Sequence, residues 1–184
     1  MALANIVGAL GLAGAAGLNA YIPLLIVALL ARANAIRLSE PFDVLASIPA
    51  ILAIVVLGVI EFIADKLPGV DHINDAVQTL IRPAAGAILF AANTGVITEI
   101  DPTLALICGL VLALSVHSAK AAARPVVNAT TMGVGAPVVS LLEDGASAAL
   151  SLVSVFAWPL AIALLVVLVL LGTHQIRRLR ARKA

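Results

Sequence analysis

Long runs without charge constrain this chain more than any other feature. Residues 1–31 contain no charged side chain, and residues 138–176 contain only Glu143 and Asp144 as formal charges. As one helix the second run would extend about 58 Å, nearly twice the apolar core of a bilayer. It must therefore fold back. The predicted turning point is Ala157-Trp158-Pro159, with a segment carrying both acids before it and a sixth segment after it.

Composition indicates the class of protein. The chain has 184 residues, of which 62% are hydrophobic and 11% charged, whereas soluble domains carry about 25% charged residues. Its mean hydropathy is +1.16. We predict an all-α, polytopic membrane bundle of five to six segments, forming one domain over residues 1–176, with a basic cytoplasmic tail over 177–184. The lipid bilayer is the expected partner, and a net charge of +1 does not indicate nucleic acid.

The first membrane segment, residues 3–31, is predicted to be broken. We do not expect this segment to be a cleaved signal peptide. No Lys or Arg precedes it, and it is longer than the apolar core of such a peptide, which has about 7–15 residues. Glycines, Asn19 and Pro23 interrupt it. Backbone groups freed by a break in lipid must be satisfied by protein or cavity water, so the break is expected to face the interior. A simple proline kink is the alternative.

The densest group of charges directly follows residues 44–60, a stretch without charged side chains. Its members are Glu61, Asp65, Lys66, Asp71, Asp75 and Arg82. On a helix Glu61 and Asp65 lie one turn apart and share a face. A carboxylate within a membrane segment costs about 2.5–3.5 kcal/mol on insertion scales and tends to mark an ion path or proton relay. The alternative places both acids at the interface, paired with Lys66 or Arg82.

The middle of the chain is divided by two Arg-Pro pairs, Arg82-Pro83 and Arg124-Pro125. Pro83 is predicted to open a third apolar segment, either re-entrant or continuous with the amphipathic piece before it. A fourth segment is predicted to run from Asp101 to about Ala123, followed by a buried loop over 126–137. Each arginine then precedes a proline that can begin a helix, a position suited to a phosphate or carboxylate.

The two halves of the chain share a pattern that suggests a 3+3 inverted repeat. In each half a broken helix precedes a segment with acids at membrane depth, so the Asn19/Pro23 break would correspond loosely to Pro125/Asn128. Inverted repeats in transporters place the binding site at broken helices near the midplane. An unrepeated bundle is the alternative.

The remaining candidate site residues supply either charge or ligand oxygens. Glu143 and Asp144 diverge by about 100° on a helix and, if buried, need basic partners, for which Lys120, Arg124 and Arg82 are available. His117 lies near Lys120 on one face and is a candidate proton shuttle, with a satisfied core histidine as the alternative. Carboxylate oxygens suit Mg, Mn or Ca, which gives a candidate divalent cation site. Its acids are Glu61, Asp65 and Glu143, and backbone breaks near Asn19 and Asn128 would add neutral oxygen ligands.

A set of motifs covers most of the chain. They are Glu61-Phe-Ile-Ala-Asp-Lys-Leu-Pro-Gly-Val-Asp71, Arg82-Pro-Ala-Ala-Gly, His117-Ser-Ala-Lys-Ala, Arg124, Asn128 and Ser140-Leu-Leu-Glu-Asp144. In these the chain resembles a family of bacterial membrane proteins known only as a domain of unknown function. The resemblance implies a multi-pass protein of the bacterial inner membrane and no established activity.

A weaker likeness is to cation/proton exchangers of the manganese and calcium type. These carry Glu-x-Gly-Asp-Lys/Arg-Ser/Thr in each of two inverted halves. Here the spacing from Glu61 to Asp65 is one residue longer and the glycine is absent, and Glu143-Asp144-Gly145 is not a second copy. The shared feature is a pair of carboxylates in a membrane segment.

These patterns favour a small transporter or channel for a cation, or for a solute coupled to a cation or proton, using the intramembrane carboxylates. One alternative is a lipid-phosphate-binding protein or membrane enzyme that uses Arg82, Lys120 and Arg124. A structural membrane subunit is another. No soluble enzyme motif is present, which favours a non-enzymatic function. Small residues throughout the helices permit close packing, including in a homodimer.

Overall fold

A computed structural model of the chain describes residues 2–65, 71–93, 100–131, 135–156, 166, 167 and 170. Within them lie six main helices: α1 (Ala2–Leu18), α2 (Tyr21–Arg32), α3 (Ile48–Ala64), α4 (Asp71–Ala91), α5 (Pro102–Thr131) and α6 (Ala136–Phe156). A short 3₁₀ helix, Phe42–Ala46, precedes α3. The described residues contain no β-strand, only an isolated bridge between Leu38 and Asn93. The predicted all-α bundle is confirmed.

Several predictions fall outside the described residues. They concern Lys66, the turn over 157–159, nearly all of the sixth segment over 160–176 and the basic tail over 177–184. The side chains of Asp71, Asp75 and Asn128 also lie outside the described part. The count of five to six spans stays a prediction.

Helix α1 lies at the centre of the bundle because its residues are small. It packs against α4, α5 and α6, and Ala9, Ala13 and Ala16 have no exposed surface. At Gly17 a Cβ atom would lie 2.6 Å from the carbonyl oxygen of Ala113 in α5, so only glycine permits this approach. Small residues at helix interfaces let backbones come close, which increases dispersion contacts.

Helices α4 and α5 both continue through their Arg-Pro pairs, which corrects two predictions. Pro83 lies inside α4 rather than at the start of a segment, so the third segment is continuous with the amphipathic piece before it. Pro125 lies inside α5, and the loop predicted over 126–137 is helical as far as Thr131. Helix α5 therefore has no break to correspond to the one at Asn19. Local proline propensity is overridden because α4 and α5 form the most extensive helix pair among the described residues.

The start of α5 is fixed by a conventional cap. The carboxylate of Asp101 accepts hydrogen bonds from the backbone nitrogens of Thr103 at 2.8 Å and Leu104 at 3.3 Å. Because these donors favour the ionised form, they hold the pKa of the Asp101 carboxyl below its usual range. Pro102 follows as the first helical residue, where its missing N–H is not needed.

The crossing of α4 and α5 depends on Gly86 and Gly109. A Cβ atom at Gly109 would lie 2.6 Å from the Cβ of Phe90 and 2.9 Å from the Cα of Ala87. We therefore expect Gly109→Ala to destabilise the protein by about 1–3 kcal/mol, the usual cost of overpacking. The matched control is Gly145→Ala in α6, where a Cβ atom meets nothing within 4 Å.

Both glycine variants are measured by denaturant unfolding in detergent micelles, followed by circular dichroism. The control is expected to be neutral or up to about 1 kcal/mol more stable, because alanine has the higher helix propensity. Equal effects of the two substitutions would show that the close crossing does not limit stability.

The outer surface of the bundle is apolar. On α3 the side chains of Leu52, Val56, Ile60 and Ile63 are each more than half exposed. Two described helices are long and apolar enough to cross a membrane, Pro102–Thr131 and Pro137–Phe156. The interior combines an apolar core with buried charged side chains, which soluble proteins seldom bury completely unless they are paired.

Candidate functional site

The first long apolar segment is interrupted at Asn19 and Ala20, and the interruption is buried. The side chain of Asn19 is 3% exposed. Its Oδ1 accepts hydrogen bonds from the backbone nitrogens of Tyr21 at 2.9 Å and Ile22 at 3.1 Å. Asn19 thus caps α2 as an N-cap residue does. Pro23 lies in the first turn of α2, so the break is not a simple proline kink.

On the other side of the break, side chains of α5 and α6 donate hydrogen bonds to backbone carbonyls at the end of α1. Lys120 Nζ donates to the carbonyl oxygen of Leu18, the last residue of α1, at 3.0 Å. Ser147 Oγ donates to the carbonyl oxygen of Ala15 at 3.0 Å. A cation at a helix C-terminus also interacts favourably with the helix dipole. The prediction that the break faces the protein interior is confirmed.

Asn19 also joins the break to two carboxylates. Its Nδ2 donates to Glu61 Oε2 at 2.7 Å and to Asp144 Oδ1 at 3.0 Å. Glu61 Oε1 accepts from Arg82 Nη2 at 2.9 Å, and both side chains are almost completely buried. One asparagine therefore connects the helix break, the last turn of α3 and the middle of α6.

Asp65 forms a buried bidentate ion pair with Arg124. Arg124 donates to both of its oxygens at 2.7 Å, a bidentate geometry that suits a planar guanidinium and a carboxylate. Ser140 Oγ donates to Asp65 Oδ2. Asp65 follows the last residue of α3, so this pair fixes the end of that helix against α5 and α6.

Glu143 contacts two basic side chains at once. Its Oε2 lies 2.9 Å from Lys120 Nζ and 3.1 Å from Arg124 Nη2. Its side chain is 15% exposed, more than the side chains of Glu61 and Asp65. Of these three acids, Glu143 is therefore the most accessible.

His117 lies beside the Glu61–Arg82 pair. Its Nδ1 is 3.3 Å from Arg82 Nη1, and its Nε2 is 3.0 Å from Thr79 Oγ1. Because a guanidinium only donates, this geometry assigns Nδ1 as an acceptor and gives Nε2 the proton of the neutral ring. The arrangement is that of a satisfied core histidine, and the proton-shuttle role stays a prediction.

The structure brings together most of the predicted site residues in one largely buried group, which we call the charge network. Its members are Asn19, Glu61, Asp65, Arg82, Lys120, Arg124, Glu143 and Asp144. Of the three basic partners predicted to be available to Glu143, Lys120 and Arg124 contact it, whereas Arg82 pairs with Glu61. Contrary to the prediction, Arg82 and Arg124 do not lie at helix starts, because both helices continue past the prolines.

The predicted divalent cation site does not form a conventional ligand group in the described residues. No set of three or more His, Cys, Asp or Glu side chains is placed to hold a metal ion there. Each of the three acids is instead paired with basic side chains: Glu61 with Arg82, Asp65 with Arg124, and Glu143 with Lys120 and Arg124. At the Asn19 break, whose backbone the sequence predicts to add neutral oxygen ligands, the Leu18 carbonyl accepts a hydrogen bond from Lys120.

Sequence reasoning overlooked the serines of α6. Ser140, Ser147, Ser151 and Ser154 are all buried, and they recur at intervals of three, four or seven residues. That spacing places them on one helix face. Searching for polar as well as apolar periodicity would have identified this face, and with it the Ser140 contact to Asp65.

Comparison with known proteins gives a family but no activity. No curated protein and no solved structure matches the chain significantly. A family model matches residues 6–178, a range that contains the whole charge network. The chain therefore belongs to the family described as Domain of unknown function (DUF4126).

Proposed function

We propose that this protein is a small multi-pass membrane transporter or channel. Its cargo is a cation, or a solute coupled to a cation or proton, and its site is the charge network. The observation that carries the proposal is the connection at Asn19, where a break in an apolar helix contacts the buried Glu61 carboxylate of α3 and the partly buried Asp144 carboxylate of α6. In membrane transporters, broken helices line the binding site because their free backbone groups need polar partners.

A bilayer location is supported by the distribution of polarity. Charged side chains lie inside, while large apolar side chains cover the outer face of α3. Buried charges are costly and are retained in membrane segments where they serve a pathway. The basic residues after position 176 favour a cytoplasmic C-terminus by the positive-inside rule. A bacterial inner membrane is the proposed location.

Shared contacts in the network suggest how binding is coupled to movement. Glu143 is held by both Lys120 and Arg124, and Lys120 also holds the Leu18 carbonyl at the break. A proton or cation on Glu143 would weaken its attraction to both bases. Lys120 would then remain on the α1 carbonyl, and α6 would be released from α5. Such a two-state contact is what a ligand must bias to shift a conformational equilibrium.

The geometry supports cation or proton coupling better than recognition of a phosphate. Arg82, Lys120 and Arg124 each lie within 3.1 Å of a carboxylate. An incoming phosphate would have to compete with those carboxylates for the same donors. A proton, in contrast, adds to the Glu143 carboxylate itself and needs no vacant donor, and it weakens the attraction of Glu143 to both bases.

The test uses purified protein reconstituted in liposomes containing a pH-sensitive dye. Proton flux is driven by a potassium gradient with valinomycin, and Na⁺, K⁺, Mg²⁺, Mn²⁺ and Ca²⁺ are then offered singly. We expect Glu143→Gln to reduce the flux by about tenfold or more, since about 1.4 kcal/mol of lost interaction gives that factor. Calorimetry with the three divalent ions tests binding directly.

The matched control is Asp101→Asn, which neutralises an exposed acid and keeps a good N-cap residue. This control is expected to transport at the wild-type rate. Wild-type flux in a folded Glu143→Gln protein, or no flux and no ion binding in the intact protein, would contradict the proposed function.

A further inference from the structure

Three polar side chains on one face of α4 each have a buried atom without a hydrogen-bond partner among the described residues. The atoms are Asn74 Nδ2, Gln78 Oε1 and Arg82 Nε. Gln78 is 1% exposed and Arg82 has no exposed surface. A buried polar atom left unpaired costs about 1–3 kcal/mol, so in native proteins such atoms are paired with a protein group or, where none is in reach, with ordered water.

The positions of these atoms form a regular series. Residues 74, 78 and 82 are separated by four positions, so they share a helix face and rise by about 6 Å per step. Their unpaired atoms alternate as donor, acceptor and donor. One water molecule between each neighbouring pair would accept from a nitrogen and donate to Gln78 Oε1, spanning about 5.5 Å through two hydrogen bonds.

This face of α4 is polar on the N-terminal side of Arg82 and apolar on the C-terminal side. Towards the N-terminal end of α4 it leads to Asn74, which is only partly buried. Beyond Arg82 the same face continues with Ala85 and Leu89, which are 3% and 1% exposed. Apolar side chains of this kind exclude water.

We propose that the face of α4 formed by Asn74, Gln78 and Arg82 holds a file of water molecules that leads from the N-terminal end of α4 to the charge network. At its inner end Arg82 contacts both Glu61 and His117. Ala85 and Leu89 close the file, so water reaches the network from one side of the membrane. The presence of the file follows from the buried atoms, whereas its use as the access route of a transporter rests on the proposed function.

Radiolytic hydroxyl-radical footprinting of the unmodified protein in liposomes tests the file directly. His117 and Phe90 are both 2% exposed, so they form a pair matched in burial. Because radicals arise from nearby water, we expect His117 to be oxidised about fivefold faster than Phe90 or more. Equally slow oxidation of the two side chains would overturn the proposal.

Cysteine labelling gives a second, independent measurement. The sole native cysteine, exposed Cys108, is first replaced by alanine. Gln78→Cys is expected to react with N-ethylmaleimide about tenfold faster than Leu89→Cys, which lies on the same face beyond Arg82. Equal rates in folded variants would overturn the proposal.

The use of the file is tested separately from its existence. Gln78→Met, which keeps the length of the side chain and removes the acceptor, is expected to slow proton flux about tenfold. If Gln78→Cys is labelled rapidly but the wild-type protein carries no flux, the water file is supported and the proposed transport function is contradicted. If the wild-type protein carries flux but Gln78→Cys is not labelled, the transport function is supported and the water file is contradicted.

Discussion

Replacing Arg82 with methionine is expected to destabilise the protein by about 3–5 kcal/mol, the usual cost of leaving a buried charge without its partner. Arg82 has no exposed surface and pairs with the nearly buried Glu61 at 2.9 Å. Methionine fills a similar volume but cannot donate to the carboxylate. The loss is measured by denaturant unfolding in detergent micelles.

A double variant distinguishes the contribution of the Glu61–Arg82 ion pair from the cost of leaving one buried charge unpaired. Glu61→Gln combined with Arg82→Met removes both charges, and we expect it to recover most of the lost stability, because an apolar or neutral replacement of a buried pair is often tolerated. Arg32→Met is the control for the same change at an exposed arginine and is expected to stay within about 0.5 kcal/mol of the wild type. A single Arg82 variant as stable as this control would show that Glu61 does not need its partner.

The second large effect is expected at Asn19, which has two separable functions. Asn19→Ala removes the cap of α2 and both hydrogen bonds to carboxylates, for an expected loss of about 3 kcal/mol or more. Asn19→Ser keeps a capping oxygen but is too short to bridge Glu61 and Asp144. We expect serine to recover about 1 kcal/mol of that loss, the usual contribution of a cap.

The same two variants test whether the break matters for function. Both remove the bridge to Glu61 and Asp144, so both are expected to reduce ion flux to a similar degree, although their stabilities differ. Unfolding measurements and liposome flux assays on the same preparations provide the comparison. Normal flux in Asn19→Ser would mean that the bridge is structural and that the transport site does not include Asn19.

Some elements of the candidate site follow directly from local sequence. Glu61 and Asp65 are one turn apart and are both buried, as a shared helix face requires. The same argument explains why Glu143 and Asp144, which are adjacent, contact different partners, Lys120 and Asn19. In these cases helix geometry alone sets the direction of each side chain.

Other features depend on long-range packing. Proline at positions 83 and 125 predicts a helix boundary, yet both helices continue because α4 and α5 support each other along their length. The pairing of Glu61 with Arg82 and of Asp65 with Arg124 joins residues 21 and 59 positions apart. Local patterns contain no information about which of several bases reaches a given acid.

By itself, the sequence determined the all-α fold, the position of the break at Asn19 and the set of charged residues available to an interior site. Apolar runs and helix periodicity are local properties, and they depend only on neighbouring residues. Only the tertiary structure decided that α1 occupies the centre and which donors satisfy the break. Those outcomes depend on how closely backbones approach at Gly17, Gly86 and Gly109, where helices from distant parts of the chain meet.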